Sequence, residues 1–322
     1  MKISIDTRDG SCPVYVYRPD GNGVWPGVLV FMDGIGIRPA ILEIGERLAA
    51  NGYFALLPDL YYRSGPYEPM NARTVFADPE QRKVLMEKFM ALATPADVMS
   101  DTKTFLDYLA THRDVKKGGI GTTGYCMGGF MSLTAAGTYP DRIAAAASYH
   151  GGRLATDAPD SPHRLAPKMK ARIYVAGAIE DQSFPDDMKA RLEQALTDAG
   201  VDHTVETYQA KHGWAVRDTP VYDAAAAERH WKTLLALFAA RCETSSRKMT
   251  LTLRIVGGSL LFVGTVWFLQ GINVLPGSFM SGQPRWAVNG GIAGSFGHGV
   301  VDCREPAPTV ATSMNVLRDR CG

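Results

Sequence analysis

The chain has 322 residues, 46% apolar and 21% charged, with a formal net charge of +1. That length suits one large domain with an appendage or two ordinary domains, and the composition is that of a globular core. A near-neutral charge without a basic stripe argues against a polyanionic partner, so no nucleic acid is expected.

Five cysteines, Cys12, Cys126, Cys242, Cys303 and Cys321, are odd in number and widely spaced, with no CxxC pair. A reduced compartment is expected, with neither a disulfide framework nor a zinc site. The opening MKISIDTRDG lacks the apolar run of a secretory signal, which predicts a cytoplasmic main domain.

In chain order, strands are predicted at 14–17, 27–32, 53–57, 119–125, 143–149, 172–176 and 201–207. Helices are predicted at 40–51, 95–112, 128–138, 186–199 and 222–239. Several strands are continuous apolar runs, as in strands buried on both faces. The alternation predicts an α/β fold: a mostly parallel central sheet with helices on both faces and a site at the carboxyl ends of the strands. Segment 61–94 breaks the rhythm. It carries Arg63, Arg73, Arg82, Tyr61, Tyr62 and Tyr67, and reads as a lid or pocket wall.

The composition changes after Arg241. The first domain is taken as 1–242 and residues 243–254 as a linker. The uncharged run 255–275 is long enough for a transmembrane helix, where about 20 apolar residues are needed. Arg241, Arg247, Lys248 and Arg254 before it would hold the first domain on the cytoplasmic side, tethered to the inner face of the membrane. The rival reading is a buried apolar helix. Residues 276–322, rich in glycine and without periodicity, read as an irregular tail.

The sharpest chemical signal is Gly124-Tyr125-Cys126-Met127-Gly128-Gly129, between a predicted strand and a predicted helix. It is the G-x-nucleophile-x-G elbow with cysteine as the nucleophile. The turn is tight, so positions two residues either side want glycine. The helix N-terminus beneath favours a thiolate, and the Met127 N–H becomes an oxyanion donor. Alone, the same residues could be a glycine-rich turn around a buried structural cysteine.

A thiol nucleophile needs a base, and the base a carboxylate. Asp181 and His212 follow in the order nucleophile, acid, histidine, each just past a predicted strand. Glu180 competes with Asp181. Of the other histidines, His150 also lies at a strand end and is a candidate pocket residue, whereas His112 and His230 sit on predicted helices and His203 within a strand.

These residues resemble the dienelactone hydrolase (carboxymethylenebutenolidase) family over roughly 12–240. The resemblance rests on GYCMGG, on Asp181 and His212, on VLVFMDGIGIRP and on LAANGYFALLPDLYYR. It implies an α/β-hydrolase fold and cleavage of lactones and other esters through a Cys–His–Asp triad. It also implies that Asp33, where the family usually has Glu, contacts the resting thiol, and that the Gly34 N–H completes the oxyanion hole. Family members that cleave dienelactone hold the substrate carboxylate with arginines. One lies four residues past the catalytic histidine, where this chain has Val216, with Arg217 one later; the other would be Arg73 or Arg82.

The expected protein is therefore a carboxylic-ester hydrolase for a small ester or lactone, working through a thioester intermediate as a monomer without metal or cofactor. Its rivals are a carboxylesterase or thioesterase of other specificity, and a non-catalytic, membrane-tethered binding protein.

Overall fold

The structure, a computed structural model, describes residues 1–242, 244–275 and 281–301. By contact density the chain divides into Met1–Ser245 and Ser246–Gly322.

The first unit is built on an eight-stranded sheet in the order β1-β2-β4-β3-β5-β6-β7-β8. β1 (Lys2–Thr7) and β2 (Gly10–Tyr17) form an antiparallel hairpin, closed at Gly10 with φ 133°. β1 was not anticipated. Only Ile5 of its six residues is buried, so KISIDT carries little apolar signal. β2 joins β4 (Phe54–Pro58) antiparallel, and from there the sheet is parallel through β3 (Gly27–Phe31), β5 (Ile120–Tyr125), β6 (Ile143–Tyr149), β7 (Arg172–Ala178) and β8 (His203–Tyr208). Every residue of β3, β4 and β5 is buried, as expected for strands covered on both sides.

Helices α1 (Pro39–Ala50), α3 (Pro95–Thr111), α4 (Met127–Thr138), α5 (Asp186–Asp198) and α6 (Ala224–Arg241) provide the cover. α1 and α6 share a face, tied by the Arg47–Glu228 ion pair at 2.7 Å. α3 and α4 pack together on the sheet, and α4 lies on β5 and β6. Segment 61–94 folds as short turns around α2 (Pro79–Val84), which Asp78 caps by accepting from the Glu80 and Gln81 N–H groups.

The second unit holds α7 (Thr244–Gly271) from Ser246 onward and α8 (Pro284–Val301). Three expectations are corrected here. The stretch 243–254, read as a linker, is helical from Thr244, because α7 already begins there and carries on into the apolar run. The stretch 284–301, read as irregular tail, is helical. Its glycines hid it, because glycine disfavours helices, yet Gly290 packs where a Cβ would overlap the Gly264 carbonyl and the Phe268 N–H. The transmembrane helix expected at 255–275 is not found: no helix among the described residues is long and apolar enough to cross a membrane. α7 stops at Gly271, Asn273 turns left-handed at φ 62°, and glycines, Ser259, Thr265 and Gln270 dilute the apolar run. Of the expected tail, 276–280 and 302–322 lie outside the described residues.

Candidate active site

β5 delivers Cys126 into a turn with φ 53° and ψ −114°, a left-handed conformation that non-glycine residues rarely adopt. Two glycines make the turn possible. A Cβ on Gly124 would overlap the Gly128 carbonyl, and one on Gly128 would overlap the carbonyls of Phe31 and Met32 at the end of β3. The first turn of α4 is thus pressed onto the end of β3. The Cys126 N–H donates to the Tyr149 carbonyl at 3.1 Å, which fixes the turn to β6.

The β3 loop meets this turn directly. A Cβ built on Gly34 would stand 3.9 Å from the Met127 Cβ, so the two expected oxyanion donors are neighbours. Tyr61 holds the loop in place, donating its hydroxyl to the Gly34 carbonyl at 2.7 Å.

Asp181 follows β7 and His212 follows β8. The loops are stitched together by the Ile179 N–H on the Ala210 carbonyl, 3.1 Å. His212 Nδ1 lies 2.8 Å from Asp181 Oδ2. The competitor Glu180 is exposed, at φ 51°, and takes no part. Burial works against charge on the His212 ring, but the hydrogen bond with Asp181 and the neighbouring Cys126 sulfur outweigh it, and its pKa is pushed up to about 10. Burial likewise opposes ionisation of Asp181; its bonds with His212 and Ser183 prevail and hold its pKa below the usual carboxylate value. The geometry therefore favours imidazolium at His212, with the Asp181 carboxylate on one side of the ring.

Two contributors escaped the sequence reading. Ser183 donates its hydroxyl to Asp181 Oδ1 at 2.6 Å and its N–H to the same oxygen at 2.9 Å. Asp-x-Ser is the spacing of an Asx-type turn, the one signal that pointed to it. Arg38 is 2% exposed and grips Asp33 with both terminal nitrogens, at 2.7 and 2.8 Å, while its Nε donates to Asp218 Oδ2 at 2.7 Å. It ties the Gly34 loop to the segment that follows His212.

Two cavities open on either side of Cys126. One, about 420 Å³, is mainly apolar, lined by Met90, Pro95, Met127 and Phe130 with Arg153 and Ser183. The other, about 400 Å³, is lined by Gly34, Arg73, Phe76, His150, His212 and Val221 among others. Segment 61–94 is thus a wall of both.

The remaining expected site residues divide. Met127, Gly34, His150 and Arg73 line the cavities. Asp33 lines the second one, but its carboxylate is turned to Arg38 and the Ile35 N–H, and among the described residues it makes no hydrogen bond with the Cys126 thiol. Arg217 is swung outward to pair with Glu43 on α1, because it follows the buried Val216 in the loop. Arg82, exposed in the last turn of α2, lines neither cavity. Among the described residues no group of three or more His, Cys, Asp or Glu side chains could hold a metal ion.

Residues 12–242 match the dienelactone hydrolase family. A protein of Synechocystis sp. provisionally named carboxymethylenebutenolidase is 28% identical over 245 residues, spanning 73% of this chain and 94% of that protein. A likewise named protein of Escherichia coli is 30% identical over 244 residues, spanning 73% and 84%. A crystal structure of a provisionally named dienelactone hydrolase from Klebsiella pneumoniae superposes with a TM-score of 0.64 at 25% identity, covering 74% of this chain and 97% of that one. Similarity to Pyrococcus horikoshii acylaminoacyl peptidase, at a TM-score of 0.55 and 15% identity over 74% of this chain and 41% of that one, bears on the fold alone. The sheet and its helical cover are those of an α/β-hydrolase.

Proposed function

The chain belongs to the dienelactone hydrolase family and is thus a hydrolase of esters or lactones; from that premise we propose that it works through a Cys126–His212–Asp181 triad and a thioester intermediate. The observation that carries this reading is the strained elbow at Cys126, lining the same two cavities as His212, with Asp181 behind the His212 ring at 2.8 Å.

His212 takes the thiol proton and Cys126 attacks the ester carbonyl carbon. The carbonyl oxygen gathers negative charge where the Met127 and Gly34 N–H groups can donate to it. The tetrahedral adduct collapses, and His212 returns the proton to the departing alkoxide. The acyl group is left on sulfur. Water then enters, His212 removes its proton, and the thioester is cleaved to acid and free thiol. Asp181 keeps the His212 tautomer and offsets its positive charge throughout. The reaction is assigned to residues 1–242.

A second reading concerns specificity. With Arg217 paired to Glu43 and Arg82 outside the cavities, a two-arginine clamp for a substrate carboxylate is lacking among the expected residues, and only Arg73 remains. The largely apolar cavity at Met90 and Phe130 suits a neutral ester or thioester. Steady-state hydrolysis of dienelactone, p-nitrophenyl acetate and an acyl thioester by the full chain tests both readings, with Cys126→Ala as control. Activity that survives in Cys126→Ala removes the triad; rapid cleavage of dienelactone in preference to the others removes the neutral-substrate reading.

A further inference from the structure

Two histidines of the first unit are almost wholly buried, each 1% exposed, and they differ in one respect. His230 has both ring nitrogens engaged: Nε2 with the Tyr125 hydroxyl at 2.9 Å and Nδ1 with the Ala227 carbonyl at 3.2 Å. His150 has neither; its Nδ1 and Nε2 find no hydrogen-bond partner among the described residues. A buried polar group left in this way is costly and rare in a folded protein, unless a ligand completes it.

The position of His150 indicates where that ligand sits. It follows β6 at the carboxyl edge of the sheet, at φ 38°, with its N–H held by the Ala176 carbonyl at 2.8 Å. Its ring stands edge-on to His212 at 5.2 Å and to Trp214 at 5.5 Å. It faces the same cavity as Cys126, Gly34 and His212. Backbone strain and aromatic packing together fix a polar ring beside the reacting sulfur, without assigning it a bond.

We infer that His150 is a specificity-determining residue, whose imidazole exchanges a hydrogen bond with an uncharged hydroxyl group on the substrate, beside the carbonyl carbon that Cys126 attacks. The inference rests on the Cys126 hydrolase reading and deepens it: the substrate is a neutral hydroxy ester whose hydrocarbon part occupies the cavity at Met90 and Phe130. A hydroxyl is the fitting group because it both donates and accepts, and so matches either tautomer of a neutral imidazole. The ring is neutral because burial, then the proximity of His212 and His230, hold its pKa well below the ordinary histidine value. Carboxylate and ammonium groups lack one half of that exchange. A site built around such a bond discriminates strongly against analogues that lack it, because the buried partner is then left unpaired.

Matched esters test this on the full chain. Wild type, His150→Phe and His150→Gln are compared on p-nitrophenyl butanoate against its β-hydroxy derivative, and on butyl butanoate against its ω-hydroxybutyl analogue. These place the hydroxyl on the acyl and the alcohol arm in turn. Wild type is expected to favour the hydroxyl member of one pair in kcat/KM by roughly tenfold. His150→Phe keeps an aromatic ring in the packing and should bring that ratio close to one, whereas His150→Gln, which keeps a donor and an acceptor, should retain part of it. A wild-type ratio near one in both pairs overturns the inference without any variant. So does a His150→Phe protein that slows both members of each pair equally, since that is a packing role. If Cys126→Ala hydrolyses the same esters as fast as wild type, the underlying hydrolase reading has failed instead.

Discussion

Ser183 and His212 share one carboxylate: the Ser183 hydroxyl donates to Asp181 Oδ1 at 2.6 Å while His212 Nδ1 holds Oδ2 at 2.8 Å. The serine oxygen is itself 3.3 Å from His212 Nδ1. Asp181 is thereby prevented from rotating, and its charge is aimed at the ring.

Removing that hydroxyl should therefore be felt at the reaction. Ser183→Ala deletes a hydrogen bond to a charged group and the 3.3 Å contact with His212 Nδ1 while leaving Cys126, His212 and Asp181 in place, and kcat/KM for a simple ester is expected to fall by roughly tenfold. The fold should survive, since the Ser183 N–H still bonds Asp181 at 2.9 Å. Ester kinetics alongside far-ultraviolet circular dichroism would check this; unchanged kinetics would show that the backbone bond alone suffices.

The pH dependence of stability follows from the same trio. The His212 pKa is raised from 6.5 to about 10, so the folded state binds its proton more tightly than the unfolded chain does. The resulting stabilisation is fully present below about 6.5 and is lost as the pH rises through about 10. The lowered Asp181 pKa acts in the opposite sense, present above 3.8 and lost as the pH falls below it. Urea unfolding midpoints should thus fall between pH 6.5 and pH 10 more steeply in wild type than in His212→Gln. Parallel slopes in the two proteins would rule out this linkage.

Arg38 presents a different case, since it and one of its two partners, Asp33, are buried together. Arg38→Met leaves the Asp33 carboxylate, 4% exposed, without its bidentate partner. Breaking one side of a buried ion pair costs about 3–5 kcal/mol, while replacing both sides with apolar residues of similar volume is often close to neutral. Thermal or urea unfolding should therefore find Arg38→Met strongly destabilised and Asp33→Leu/Arg38→Met partly restored. A single variant as stable as wild type would mean that the pair is not worth its desolvation.

The elements that could be read from the linear chain were those whose signal is local. Apolar runs such as GVLVF and FALLP reported strands buried on both faces, and the G-x-Cys-x-G elbow reported its own geometry because only glycine avoids the overlaps at 124 and 128. That Asp181 and His212 would meet was legible from their order and their strand-end positions. β1 and α8 were not, since an exposed edge strand and a glycine-rich helix carry weak periodic signals and are stabilised by what they pack against. The apolar run 255–275 was legible as apolar but not as to its ending, which a left-handed Asn273 sets.

The amino-acid sequence by itself determined the α/β architecture, the elbow at Cys126 and the chain order in which Asp181 and His212 follow it, because each follows from spacing along one chain. Only the tertiary structure decided which charges meet. Arg38 reaches Asp218 across 180 positions of sequence, Arg217 turns away to Glu43 across 174, and His150 is left with two unpaired nitrogens beside Cys126. Long side chains have many rotamers open to them, and the choice among those is made by packing and by the cost of burying an unpaired charge or dipole, quantities that exist only once the chain has folded.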